Sequence, residues 1–311
     1  MTKILVTGGA GFIGSHLVNE LLDQEYEVVV LDNLSTGRIQ NIKPFLNKIK
    51  FLKKDVRKIK FKKIFKDIKY IFHLAANPFV PDSINKPIET CLINVIGTLN
   101  ILEMAKKFDV EKVIFASSSS VYGYVTKDKL PLKEETTPNP ISPYALWKLH
   151  GEQLCQFYKK FYGINSVCLR YFNVYGPNQY PDRKCAAVIP IFIKKILHNK
   201  HPIIYGDGSQ SRDFVFVKDV VQANILAMKA EDGVYNVGSG KSTTINELIN
   251  KINEILGKNI KPMHTKERVG DILHSCADLS KAKRELNYTP EYTLEEGLRI
   301  TIDWFKKTLF Q

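Results

Sequence analysis

Short apolar runs alternate with longer stretches of helical spacing over the first half of this 311-residue chain. Residues 3–7 form a β-rich run, and residues 12–24 follow with Ile13, Leu17, Leu21 and Leu22 on one side of a helix. Strand-like runs recur at 27–31, 50–52, 70–74, 112–116 and 166–170, and the strongest helical patterns lie at 93–108 and 144–161. Strands alternating with helices predict βαβ units and a parallel sheet, an α/β doubly wound fold of the Rossmann kind. After Tyr175-Gly176-Pro177 the segments shorten and turn signals such as Gly206-Asp207-Gly208 multiply. Helices are predicted there at 188–198, 218–230, 245–256, 279–286 and 294–305. The pattern divides the chain into a doubly wound unit, 1–175, and a smaller mixed α/β unit, 176–311. Later segments are free to return to the first unit.

The first strand runs into Gly8-Gly9-Ala10-Gly11-Phe12-Ile13-Gly14, a GxxGxxG pattern that opens the first helix. Glycine repeats are common, but this strand–turn–helix context is specific. It lets backbone approach a pyrophosphate, which the free N–H groups of a helix N-terminus then bind. Asp32 ends the second strand, 18 residues past Gly14. A carboxylate there accepts from an adenosine ribose and repels a 2′-phosphate, which favours NAD over NADP. Arg38, close by, keeps NADP in view.

Composition adds little to this except in one segment. Hydrophobic residues are 44% and charged residues 25%, ordinary for a globular protein. The cysteines, Cys91, Cys155, Cys168, Cys185 and Cys276, are odd in number and contain no CxxC, so neither a disulfide framework nor a zinc ribbon is expected. A reducing cytoplasm fits them. No run approaches 18 apolar residues, and no signal peptide precedes the glycines, so no membrane partner is expected. The net charge of +13 raises nucleic acid or an anionic membrane surface as a partner. Yet residues 43–69 hold 12 Lys or Arg against two acids, which accounts for +10 of it. Their lysines alternate with apolar residues, as on a strand and helix with one solvated face.

Tyr144 and Lys148 stand at i and i+4, on one face of the helix that follows Ser142-Pro143. A phenol is a poor base at neutral pH, but an ammonium and a pyridinium ring nearby would favour phenolate. A second YxxxK, Tyr180–Lys184, contains a proline and reads as loop. The fifth strand ends in Ser117-Ser118-Ser119-Ser120, at the sheet edge where doubly wound folds bind ligands. A serine there can bond a sugar hydroxyl and relay its proton to Tyr144.

With these motifs in order, the chain resembles the extended short-chain dehydrogenase/reductases, and among them the nucleotide-sugar 4-epimerases. The resemblance runs from residue 1 to about 306 and takes in Thr7–Gly14, Asp32–Gly37, Asp55-Val56, His73–Ala76, Asn94–Thr98, Ser117–Gly123, Tyr144–Lys148, Leu169–Pro177, Arg212–Phe214 and Arg268–Asp271. It implies that Ser118, Tyr144 and Lys148 are catalytic. It implies an NAD site of Gly8, Gly11, Phe12, Ile13, Gly14, Asp32, Asn33, Ser35, Thr36, Gly37, Asp55, Val56, Leu74, Ala75, Ala76, Asn94, Tyr144, Lys148 and Tyr171. For a UDP-sugar it implies Ser118, Ser119, Ser120 and Tyr144 at the sugar, with Asn173, Arg212, Arg268 and Asp271 at the nucleotide diphosphate. Val188 and Tyr205 would lie near the uracil, and Ser275 at the sugar gate. It implies no metal, and His73 reads as packed rather than ligating. It also implies a homodimer built on the helices at 93–108 and 144–161.

The implied reaction oxidises C4 transiently, turns the 4-keto sugar, and returns hydride to its other face. Related 4,6-dehydratases place Asp-Glu where this chain has Ser119-Ser120, and decarboxylases usually place Glu at Ser120. Uronic-acid 4-epimerases usually show Thr at Asn173 and Arg near Tyr180; with Arg183 close by, a UDP-glucuronate epimerase stays as the alternative. Serine at 275, where hexose-restricted members tend to carry Tyr, leaves room for an N-acetyl group. UDP-N-acetylglucosamine and UDP-N-acetylgalactosamine are therefore expected substrates, with UDP-glucose and UDP-galactose beside them. The competing class is a non-catalytic NAD sensor binding nucleic acid through 43–69, which would show salt-dependent affinity. Such a protein has no need of Ser118, Tyr144 and Lys148 together.

Overall fold

The computed structural model describes residues 1–58, 62–181, 187–267 and 272–309. In chain order the elements begin β1 (Lys3–Thr7), α1 (Phe12–Asp23), β2 (Glu27–Asp32), α2 (Ile39–Ile42), β3 (Lys50–Lys53) and β4 (Ile68–His73). Then come α3 (Val80–Asn85), α4 (Pro87–Cys91), a π-helical turn (Leu92–Ile96), α5 (Gly97–Lys107), β5 (Lys112–Ser118), α6 (Pro143–Tyr162) and β6 (Asn165–Tyr171). The remainder comprises β7 (Asn173–Tyr175), α7 (Val188–Leu197), β8 (Ile203–Tyr205), β9 (Ser211–Phe216), α8 (Val217–Ala227), β10 (Gly233–Val237) and β11 (Ser242–Thr244). It ends with α9 (Ile245–Leu256), β12 (Met263–Thr265), α10 (Ser280–Leu286) and α11 (Leu294–Leu309).

Seven strands form one parallel sheet in the order β10-β6-β5-β4-β1-β2-β3. The order reverses beside β1, and ligands of such sheets sit in the crevice outside the strand ends at that point. Successive strand residues feed opposite faces. Ile4, Val6, Val28 and Val30 join one core, and Leu5, Val29 and Leu31 join the other. Both faces are covered, so the strands read as continuous apolar runs without polar alternation. The chain leaves this sheet after β6, and at β10 it returns to pair with β6. Between and beyond lie a sheet of β11-β9-β7 and a two-stranded sheet of β12-β8. A third core, with Phe192, Phe216, Leu248 and Phe305 inside it, fastens α7, α9 and α11 together.

The basic segment holds the expected strand, β3, but where a helix is expected its described residues form a short 3-10 turn, Lys62–Phe65, which ends before Asp67, where φ is 66°. Phe45, Val56, Phe65 and Ile68 are buried, whereas Lys48, Lys50, Lys53, Lys54 and Lys66 are exposed. Pro87–Lys107 is a single 21-residue helical stretch, apolar and long enough by length and composition alone to cross a membrane. Its inner face, with Asn94, Thr98, Ile101, Leu102 and Ala105 buried, packs on the sheet and on α6.

Candidate active site

The loop between β1 and α1 packs backbone against backbone. A Cβ on Gly14 would stand 2.2 Å from the Gly8 carbonyl oxygen, so no side chain fits there. Gly11 caps α1 without a side-chain hydrogen bond, which leaves the first turn's N–H groups directed to a ligand. Asp32 is buried at the end of β2, its Oδ2 accepting from Ala10 N at 3.0 Å and its Oδ1 from Leu34 N at 2.8 Å. Burial pushes this carboxyl up, and the two N–H groups oppose that. Each oxygen keeps a lone pair for a ribose hydroxyl. Gly37 lies against the same carboxylate. Asn33 donates to Asp55 Oδ2 at 3.0 Å, and hydrogen bonds from Arg57 chiefly hold Asp55 at about 2. The Arg38 guanidinium lies 3.9 Å over the Tyr180 ring.

These groups surround a cleft of about 430 Å³ along the strand ends. All the residues expected to hold a dinucleotide line it except Gly37 and Asn94. Asn94 stands behind the wall. Its amide accepts from Asn77 N at 2.8 Å and donates to Asn77 O at 3.0 Å, pinning the loop after β4. His73 ends β4 beside Thr7 of β1, bonded to Thr7 Oγ1 and Thr98 Oγ1, and burial drives it down to about 3. A glycine cradle, an open helix N-terminus and a ribose-facing carboxylate in a single cleft fit NAD.

Further along the cleft stand Tyr144 and Lys148. Ser142 caps α6 by accepting from Ala145 N at 3.2 Å, which sets Tyr144 at the helix mouth. Ser118, at the end of β5, favours the charged form of the Tyr144 hydroxyl. Ser118 Oγ accepts in turn from Ser120 Oγ at 2.9 Å and Ser120 N at 3.2 Å. Lys148 lies one turn beyond Tyr144, and its Nζ donates to Ala116 O at 2.6 Å and stands 6.0 Å from the phenol ring centre. Burial pulls the ammonium down to about 8, with Glu152 opposing. The expected lowering of the phenol by Lys148 is not what dominates in the protein alone. Burial raises Tyr144, and the hydrogen bond with Ser118 opposes it.

A second cavity, of about 170 Å³, opens past Tyr171, which lines both. Ser118, Ser119, Ser120, Asn173, Arg212 and Ser275 face it. Among the described residues no carboxylate does. Val188 and Tyr205 line neither cavity, and Arg268, Asp271 and Arg183 lie outside the described residues. His274 also lines the second cavity, its Nδ1 at 2.9 Å from Ser211 Oγ. No spacing in the sequence marks it. Asn178 and Gln179 line the first cavity unannounced as well; Asn178 bonds Ser15 Oγ at 3.1 Å and has a φ of 66°.

Residues 4–238 match the sequence pattern of the NAD dependent epimerase/dehydratase family. The chain belongs to this family. It is similar to the UDP-N-acetylglucosamine 4-epimerase of Methanobrevibacter ruminantium M1, solved in complex with UDP-N-acetylmuramic acid, with a TM-score of 0.95 and 42% identity over 98% of each chain. It is equally similar to the Thermotoga maritima UDP-glucose 4-epimerase solved with UDP-glucose (TM-score 0.95, 41% identity, 99% of each chain). A curated relative, the UDP-glucose 4-epimerase of Mycolicibacterium smegmatis, is 38% identical over 311 residues, 98% of each chain. For a member of this NAD-dependent family, the Gly14 contact makes a direct prediction. Gly14→Ala forces the loop to shift at an overpacking cost of about 1–3 kcal/mol. That should weaken NAD binding roughly 10- to 100-fold in a titration, with the circular dichroism spectrum unchanged.

Proposed function

We propose that this enzyme interconverts the C4 epimers of UDP-sugars, UDP-N-acetylglucosamine with UDP-N-acetylgalactosamine and UDP-glucose with UDP-galactose. The observation that carries the reading is the Ser118–Tyr144–Lys148 group at the junction of the two cavities. NAD supplies a hydride acceptor and a positive ring beside the phenol. Tyr144 takes the 4-hydroxyl proton, directly or through Ser118, as hydride leaves C4. Lys148 places its ammonium near the developing phenolate, where it favours the charged form. Arg212 and Asn173 hold the diphosphate, while Ser119 and Ser120 touch the sugar loosely enough for the 4-keto ring to turn. Tyr144 then returns its proton as hydride re-enters the opposite face. Arg268 and Asp271 complete the nucleotide contacts in this reading, with Val188 and Tyr205 toward the uracil. Elimination needs an acid and a base over the sugar, and Ser119 and Ser120 stand where they would be.

The test is incubation with each UDP-sugar in D₂O, read by NMR. Inversion at C4 without deuterium at C5 is expected. Deuterium at C5 with loss of the 6-hydroxyl would make the enzyme a dehydratase instead.

Ser275 is buried beside the sugar cavity. Ser275→Tyr should fill the N-acetyl space and lower kcat/KM for UDP-N-acetylglucosamine by roughly tenfold or more, while UDP-glucose changes a few-fold at most. Equal losses on the two sugars would remove Ser275 from the gate.

The enzyme works as a homodimer in this reading. Ile88, Leu92 and Ile96 are exposed along the Pro87–Lys107 stretch, Ile84 is exposed on the preceding α3, and Phe157 and Phe161 stand exposed on the adjoining α6. A second copy of the same face would cover both. Free thiols at Cys91, Cys155, Cys168 and Cys276 support a reducing, cytoplasmic setting.

A further inference from the structure

Beneath the reactive group lies a buried charged pair that no step of the proposed reaction uses. Glu152 stands one turn beyond Lys148 on α6 and is 2% exposed; Arg170, on β6, is 4% exposed. Arg170 grips the carboxylate bidentately, Nε to Oε1 at 2.9 Å and Nη2 to Oε2 at 2.8 Å. Ser117 Oγ donates to the same Oε1 at 2.5 Å. The remaining arm of Arg170, Nη1, donates to the Glu134 carbonyl at 3.1 Å. A buried pair of this kind is weak evidence for stability, because desolvation offsets much of the attraction. Its connections are more informative.

Ser117 and Arg170 are register partners across β5 and β6. Glu152 therefore joins two strands and a helix at one point. The next register pair toward the strand ends is Ser118 with Tyr171, and both residues line the cavities. One turn back on α6, Lys148 bonds Ala116, the residue before Ser117. Gly151 lets the helix come this close, since a Cβ there would stand 2.3 Å from the Phe115 ring. The pair and the catalytic group thus occupy consecutive turns of one helix against consecutive residues of one strand.

We infer that Glu152 is a positioning residue: clamped to Ser117 and Arg170, it sets the placement of α6 on the sheet so that Lys148 meets Ala116 O and Tyr144 meets Ser118. The inference rests on the proposed reaction for its kinetic consequence and on the coordinates alone for its geometry.

Removing only one charge would leave the other buried and unpaired. The test therefore uses Glu152→Leu with Arg170→Met, which keeps volume and leaves neither member of the pair behind but removes the support Glu152 gives the Lys148 ammonium, and Arg170→Lys, which keeps both charges and loses only the fork. Both should fold. The double variant should lose about tenfold or more in kcat, the scale of a displacement approaching 1 Å, with KM for UDP-N-acetylglucosamine within threefold. Arg170→Lys should lose a few-fold in kcat with the same KM. Parent kcat in either folded variant overturns the inference. A crystal structure of the double variant reads the clamp without reference to substrate. Lys148 Nζ displaced from Ala116 O supports it, and Nζ still at 2.6 Å overturns it. A parent enzyme that inverts no UDP-sugar would sink the functional reading, and the position of Nζ would still decide the clamp.

Discussion

Tyr144→Phe is expected to fold, to bind NAD and UDP-sugar with near-parent affinity, and to epimerise roughly 10²- to 10⁴-fold more slowly, the usual worth of a positioned acid–base group. The substitution removes one oxygen and keeps the ring. The helix start does not depend on that oxygen. Ser142 caps it, and the Tyr144 backbone N–H donates to Ser83 Oγ at 3.0 Å. Glycine-loop and ribose contacts lie at the other end of the cleft. What disappears is the group beside Ser118 that would carry the substrate proton across the turn of the sugar. Ser118 cannot replace it, because a serine hydroxyl without an attached base does not ionise near neutrality. Single-turnover kinetics with pre-loaded NAD would read the chemical step directly. A variant within tenfold of the parent would require another base, and the described lining residues of the second cavity offer only His274. Burial raises the phenol in the protein alone, so the base becomes competent only with positive charge close by.

Much of this arrangement is readable in the sequence because its determinants are local. The strand–glycine–helix passage from Lys3 to Asp23 needs only neighbouring residues to form, and so does the Ser142-Pro143 start that sets Tyr144 and Lys148 on one helix face. Residues whose role depends on distant partners were not readable. Nothing in the five residues of β10 says that they rejoin the first sheet rather than the second; the decision belongs to β6, more than 60 positions earlier. Glu152 and Arg170 carry charges that would ordinarily mark solvent-facing positions. Only the packing of α6 against β6 brings them together beneath the site. Asn94 lies in a motif, but the sequence does not show that its amide bonds both the N–H and the carbonyl of Asn77 and so pins the loop after β4. In the basic segment, the alternation of lysine with apolar residues marks Val56 and Phe65, which are buried, and Ile49, Phe51, Leu52 and Ile64, which are half-buried, while Ile59 and Phe61 lie outside the described residues; the helix it suggests is replaced by a turn that Asp67's backbone conformation ends.

Lys148→Met should produce an enzyme at least about 100-fold slower and yet more stable than the parent near neutrality. The loss of rate follows from removing the ammonium near the phenol, which leaves Tyr144 to ionise against burial with the help of Ser118 and the NAD ring only. The gain in stability follows from proton linkage. Burial holds Lys148 at about 8 against an ordinary value of 10.5. Below pH 8 the lysine is charged in folded and unfolded chains alike, and folding bears the whole cost of burying that charge. Between about 8 and 10.5 the folded protein has released the proton while the unfolded chain still holds it, so parent stability rises with pH across that window. The full cost at pH 7 is on the order of 3 kcal/mol, from about 1.4 kcal/mol per unit. The lost hydrogen bond to Ala116 O takes back about 1 kcal/mol. Methionine should therefore raise the melting temperature by several degrees at pH 7, and the gap should narrow as the parent is titrated toward pH 10. An unchanged or lowered melting temperature at pH 7, or a gap indifferent to pH, would mean that the ammonium is better solvated than its surroundings indicate. A lysine retained at the expense of stability is what a site selected for charge beside Tyr144 requires.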